Sequence, residues 1–189
     1  MSIVLDGTTG LAGAATGALN GALGGTTPST VVATTVTATT GIVGTTTNNN
    51  AGTGYVGEYV SSNVNAGSPT GATNNTVGNV TSISLTAGDW DVSGSVVFFP
   101  NGTTTLSTVS CTISTTSATM AGIGSADQAI GVQQWNPNLA SVATYYPVVS
   151  APIKRISIAS TTTVYLCYRA TFAVSTLGVG GQLSARRIR

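Results

Sequence analysis

The stretch from Asn79 to Phe99 constrains the fold more than any other part of the chain. Trp90, Val92, Gly94, Val96 and Phe98 recur there at period two, with Asp91, Ser93 and Ser95 between them. Successive side chains of a strand point to opposite faces, so the pattern predicts a strand with one core face and one wetter face. Trp90 is one of two tryptophans, and a side chain of that size anchors a core. Just upstream, Thr81, Ile83 and Leu85 alternate with Val80, Ser82 and Ser84, which predicts a second strand with the first set on one face. Ala87-Gly88-Asp89 supplies turn chemistry between the two, so they are expected as a strand pair.

Similar reasoning extends along the chain. Tyr55 to Val60 reads as a first strand, with Tyr55, Gly57 and Tyr59 on one side. Leu106 to Ser114 puts Val109, Cys111 and Ile113 inside. The stretch from Ala121 to Pro147 is less regular and predicts one or two strands with a long loop. Pro152–Ile158 and Thr163–Phe172 resemble an antiparallel hairpin, with Val164, Leu166, Tyr168, Ala170 and Phe172 sharing one face. Residues 178–189 make a closing strand. About eight strands without a helix predict an all-β fold, a jelly-roll-like antiparallel β-sandwich over residues 54–189.

Residues 1–53 differ in kind and are expected to form an extended N-terminal arm, rich in Gly, Ala and Thr. Asp6 is the only charged side chain before Glu58, and no aromatic residue precedes Tyr55. Such a segment buries too little apolar surface to offset an ordering entropy of roughly 1–2 kcal/mol per residue. Gly13, Gly17, Gly21 and Gly25 recur every fourth residue and would make a small-residue stripe on a helix. Each mid-helix glycine costs about 1 kcal/mol relative to alanine, so an extended arm is expected instead. The β-prone residues 30–40 could add a strand to a neighbour's sheet edge.

Composition sets the surface. Charged residues are 6% of the 189, against roughly a quarter in ordinary soluble proteins. A shell of hydroxyls and amides repels other molecules weakly, which points to a working state within an assembly. The net charge of +1 gives no electrostatic case for nucleic acid or an anionic membrane as partner. No stretch approaches 18 strongly apolar residues and no basic segment followed by an apolar one opens the chain, so neither a membrane span nor a secretory signal is expected. Cys111 and Cys167 are expected as buried free thiols.

No residue set points to catalysis, a cofactor or a metal. Histidine is absent, which removes Ser-His and Cys-His nucleophiles and the commonest metal ligand. Of the carboxylates Asp6, Glu58, Asp89, Asp91 and Asp127, only Asp89 and Asp91 lie close in sequence. They could serve a glycosidase or hold a hard cation such as calcium. The simpler reading makes Asp89 a turn residue and Asp91 a solvent-facing strand residue. The arm's glycines lack the Lys-Ser/Thr of a phosphate loop. Arg186, Arg187 and Arg189 cluster at the end of the sequence, and Lys154-Arg155 makes a second pair. The arginines either dock on an acidic surface or keep a terminal strand solvated and block edge pairing.

Several stretches, taken together, resemble small virion proteins of tailed bacteriophages. They are Tyr55-Val-Gly-Glu-Tyr-Val60, Ile83-Ser-Leu-Thr-Ala-Gly-Asp-Trp-Asp-Val-Ser-Gly94, Ile156-Ser-Ile-Ala-Ser-Thr-Thr-Thr-Val-Tyr-Leu166, Gly181-Gln-Leu-Ser-Ala-Arg-Arg-Ile-Arg189 and the opening Ile3-Val-Leu-Asp-Gly-Thr-Thr-Gly10. The resemblance covers roughly residues 54–189 and the first ten. It implies a structural protein without catalytic residues, a capsid decoration (cement), head-fibre or tail-fibre component, typically trimeric, within the virion and assembled in the bacterial host cytoplasm. Its partners would be its own copies and the major capsid protein or other virion proteins. Assembly contacts are expected from Ile3, Val4 and Leu5 in the arm and from Arg186, Arg187 and Arg189. In the alternative reading, a fibre module contacts host surface glycans through the loops around residues 67–75 and 135–146, with Trp135, Tyr145 and Tyr146 as stacking platforms.

Overall fold

The computed structural model describes residues 46–120, 132–137 and 145–189, together with Thr35 and Gly44. Ile3–Leu5, Asp6, Asp127, the glycine stripe and, apart from Thr35, the β-prone residues 30–40 lie outside the described residues. Thr47–Arg189 form one compact unit.

Nine strands are described: β1 (Tyr59–Val64), β2 (Thr70–Gly71), β3 (Gly78–Leu85), β4 (Gly88–Pro100), β5 (Thr105–Ser114), β6 (Val132–Trp135), β7 (Val148–Ile158), β8 (Thr162–Ala173) and β9 (Leu177–Arg187). They form two antiparallel sheets. One has the order β1-β9-β4-β7, with β2 also paired to β9, and the other has the order β3-β8-β5-β6. Apart from β1–β2 and β5–β6, every connection crosses from one sheet to the other, and with β1 and β2 taken as one interrupted strand this is the eight-strand order of a jelly roll.

The crossing corrects two expectations. β3 and β4 are not a hydrogen-bonded pair: β3 pairs with β8, while β4 pairs with β9 and β7. Nor do β7 and β8 form a hairpin, because they too lie in different sheets. Alternation reports which face of a strand is apolar and does not identify its neighbour. Crossing lets the apolar faces of successive strands meet through the core, and β4 finds an eleven-residue register from Trp90–Arg187 to Pro100–Leu177 on β9. The first strand also begins later than expected, at Tyr59. Tyr55 sits in a turn, 70% exposed, and Asn50 brackets the start of β1 by bonding both the N–H and the C=O of Tyr59 at 2.9 and 2.7 Å.

The core forms where the period-two pattern places it. Trp90, Val92, Val96 and Phe98 from β4 are fully buried against Leu85, Val109, Leu166 and Val164 of the opposite sheet. Each such side chain contributes about 1.5–3 kcal/mol of transfer free energy. Gly94 interrupts the apolar row because a Cβ there would lie 2.9 Å from Leu166 Cδ1 across the sandwich. On β3 a register shift between Asn79 and Thr81 turns Val80 inward, so Val80 joins Ile83 and Leu85 in the core although its parity set it on the other face.

Cys111 and Cys167 are both buried and free. Cys111 faces the other sheet, its thiol donating to the Val149 carbonyl at 3.4 Å, while the Cys167 thiol reaches Asn79 Oδ1. Burial pushes the Cys111 thiol up to about 12 and raises Cys167 as well. Neither thiol reacts with a water-soluble thiol reagent while the protein is folded; both titrate in denaturant. Truncation of Phe98, which meets Tyr168 edge-on at 6.4 Å, to alanine costs about 3–5 kcal/mol in urea unfolding.

Candidate functional site

The arginine-rich end was expected as a docking surface, and the structure divides it. Period two along β9 continues from Val179, Leu183 and Ala185 to Arg187, which puts that guanidinium on the core face. Arg187 is 4% exposed, bonds Glu58 through Nε at 2.9 Å, and lies with Cζ 4.3 Å from the Trp90 ring centroid. Its Nη1 donates to the Ala87 carbonyl at 2.7 Å and its Nη2 to the Thr86 hydroxyl. Trp90 Nε1 also donates to the Thr86 carbonyl at 2.9 Å. Arg187 therefore ties the β3–β4 corner to the turn before β1 and does not reach outward. Sequence reasoning missed this, although the parity that fixes Leu183 and Ala185 inside also fixes Arg187.

Arg189 bonds Asp89 Oδ2, which also accepts from Arg155 Nη2 at 2.8 Å. Asp89, expected as a turn residue, is instead a strand residue, 2% exposed beneath those two arginines. Ser157 lies opposite it on β7. That hydroxyl and Arg155, with Arg189, bring the Asp89 carboxyl from 3.8 down to about 2 against the opposing effect of burial. Asp89 Oδ1 is buried and has no hydrogen-bond partner among the described residues. Burial alone would raise Glu58; the Gly54 N–H, at 2.8 Å, and Arg187 outweigh it and hold Glu58 below 4.5. Asp91 is exposed as expected, and its cross-strand neighbours are Arg155 and Arg186. Arg186 is the one of the three arginines that has no ion pair among the described residues. Those residues also include no group of three potential metal-ligating side chains.

The three aromatic residues expected as stacking platforms are all exposed, but they do not form one platform. Trp135 and Tyr145 pair edge to face at 6.2 Å beside the β6 edge. Tyr146 instead packs on Phe99 at 5.4 Å, on the outer face of the β4–β9 sheet. There it borders a hollow of about 500 Å³ that also takes in Pro69 and Gly71 of the expected 67–75 loop, with Asn101 and Thr176. A second hollow of about 710 Å³ continues past Phe99 over Asn63, Ser95 and Gln182. Phe99 carried a usable signal: it is an aromatic on the wetter face of β4.

Arg187→Ala leaves the Glu58 carboxylate buried without its counter-charge and costs about 3–5 kcal/mol in denaturant unfolding, whereas Arg186→Ala changes stability by less than about 0.5 kcal/mol. Both carboxyls bind protons more weakly in the fold than in the open chain. Their stabilising contribution is thus complete above the ordinary values of 4.5 and 3.8 and is lost as pH falls through the folded ones, about 2 for Asp89. The melting temperature therefore falls as pH is lowered from about 5 to about 2. That drop is smaller in Asp89→Asn, from a lower starting point.

No family model matches the sequence, and no curated protein does. Among solved structures the chain is similar to the infectious bursal disease virus VP2 subviral particle, at 11% identity over 70% of this chain and 31% of that chain, with a TM-score of 0.35. It is likewise similar to infectious bursal disease virus Gx strain, at 12% identity over 71% of this chain and 30% of that one, TM-score 0.35. The chain spans about a third of the length of those chains.

Proposed function

We propose that the chain is a non-enzymatic structural protein of a bacteriophage virion, a homotrimer that decorates the capsid and is anchored by residues 1–46. The observation that carries this reading is the surface of the sandwich. Glu58, Asp89, Arg155, Arg187 and Arg189 are engaged in ion pairs within the chain, and Lys154 and Arg169 donate to Ile113 and Asn75. Asp91 and Arg186 sit opposite each other on adjacent strands. Among the described residues, Asp91, Lys154, Arg155, Arg186 and Arg189 are the charged side chains that stay exposed, so most of what faces outward is hydroxyl, amide and apolar, with Tyr55, Val56, Ile153 and Val174 each at least 70% exposed. A shell so sparse in charge has little of the like-charge repulsion that keeps proteins apart and offers apolar contacts to neighbours. Ile3, Val4 and Leu5 would seat the arm, and Arg186 would meet an acidic group on the major capsid protein.

Deletion of residues 2–46 abolishes co-sedimentation with the particle and leaves the melting temperature of the sandwich unchanged; saturation of the particle by the truncated protein would overturn the anchoring role. The deletion stops before Asn50 because that side chain holds Tyr59. Electron microscopy of labelled protein on the virion separates head from tail.

A second reading, a fibre module that contacts host surface glycans, is favoured by the exposed aromatic residues and by the hollow beside Tyr146.

A further inference from the structure

We infer that the outer face of the β4–β9 sheet carries a binding trough for a neutral oligosaccharide, built on Phe99, Tyr146 and Gln182. The inference rests on the glycan-contact reading and relocates its site from Trp135 to this face.

The trough owes its depth to side chains that are absent. Val97 and Phe99 on β4 face Gly180 and Gly178 on β9. A Cβ at Gly180 would lie 2.7 Å from the Val64 carbonyl and 2.9 Å from Phe99 Cε2. The bare strand lets the Phe99 ring lie over the backbone of β9 and the end of β1 close in beside it. Tyr146 then packs on Phe99 at 58°, which makes an aromatic corner with one tyrosine half exposed. The two hollows share Ala66 and Phe99 and therefore adjoin. From Ser95 to Asn101 they follow six residue steps of the chain, roughly 20 Å at about 3.3 Å per residue, which accommodates more than one pyranose ring.

The chemistry of the lining selects the ligand. Gln182 presents an amide and Ser95 a hydroxyl, while the Asn63 amide also bonds Asn65 and the Asn101 amide bonds the Gly102 N–H and the Thr176 hydroxyl. An amide head donates and accepts together, which matches sugar hydroxyls that do the same. The aromatic corner offers a flat apolar surface to the C–H face of a pyranose, as ligand sites pair apolar walls with a few placed polar groups. No charged side chain lines either hollow, so a carboxylate, sulfate or phosphate on the ligand would have no counter-charge. The site thus takes neutral sugars. Trp135 lines a separate hollow at the β6–β7 edge, and Tyr145 packs on Trp135, so neither is part of it.

The test is saturation-transfer NMR and titration of the full-length protein with chitohexaose, cellohexaose, maltohexaose and laminarihexaose, with hyaluronan hexasaccharide as the acidic control. At least one neutral sugar binds. Tyr146→Ala and Gln182→Ala, both exposed positions, each weaken that binding about tenfold at unchanged melting temperature, and Trp135→Ala does not. Binding that only Trp135→Ala removes would overturn this site while leaving the glycan-contact reading intact. Absence of binding to every sugar would overturn both. Tighter binding of hyaluronan than of every neutral sugar would overturn the neutral class. Loss of self-association in Tyr146→Ala, with no sugar bound by the native protein, would assign this face to a contact between copies of the chain and overturn the proposal.

Discussion

Arg187 sits where three segments of chain meet, and its guanidinium has to be satisfied before any of them can close. A charge that deep is tolerable only when each of its faces and edges finds a partner. Glu58 supplies the counter-charge, Thr86 and Ala87 supply oxygens, and Trp90 supplies a ring face. The same residues position one another. Trp90 is held by Thr86 through its indole N–H, and Glu58 is held by the Gly54 N–H. The corner is therefore a closed polar network around the largest side chain of the core. Weakening any member exposes the rest to an unpaired buried group. Asp89 beneath Arg155 and Arg189 repeats the arrangement nearby, with Oδ1 left unpartnered.

The legible part of the fold was whatever depends on parity. The alternation in β4, β5 and β8 identified the core residues, and turn chemistry and strand spacing were enough for an all-β sandwich. Partnership was not legible. The links after β3 and β7 are short enough for hairpins, and only the mutual fit of two apolar faces across the core decides that they cross instead. Val80 was missed because a single bulge reverses parity. Arg187 was legible and was misread, since a basic cluster near the end of a sequence invites a surface reading even where the period sets one member inside. Asp89 was not legible. Its burial comes from Arg155 and Arg189, which no local pattern connects to it.

The outer face of the β4–β9 sheet shows the same division. Gly178 and Gly180 read locally as weak strand positions, and Phe99 as an exposed aromatic. Their meaning emerges only from a register that sets Phe99 beside one glycine and Val97 beside the other. Asp91 and Arg186 face each other at one end of that face, whereas the two hollows around Phe99 are lined by neutral side chains, whose amides and rings are what a partner meets there. A chain with so few ionic groups gains specificity there from shape and hydrogen-bond pattern rather than from long-range attraction.

The place of β9 has a consequence for how the protein is made. It is the last of the nine described strands in the chain, yet it lies between β1 and β4 and also holds β2. Until it has left the ribosome, β1 and β2 have no hydrogen-bonded partner among the described strands and β4 has only β7. Long-range pairing of this kind folds slowly and late. Completion of the sandwich therefore waits for β9, and Arg187, which locks its corner, is synthesised after the other eight described strands.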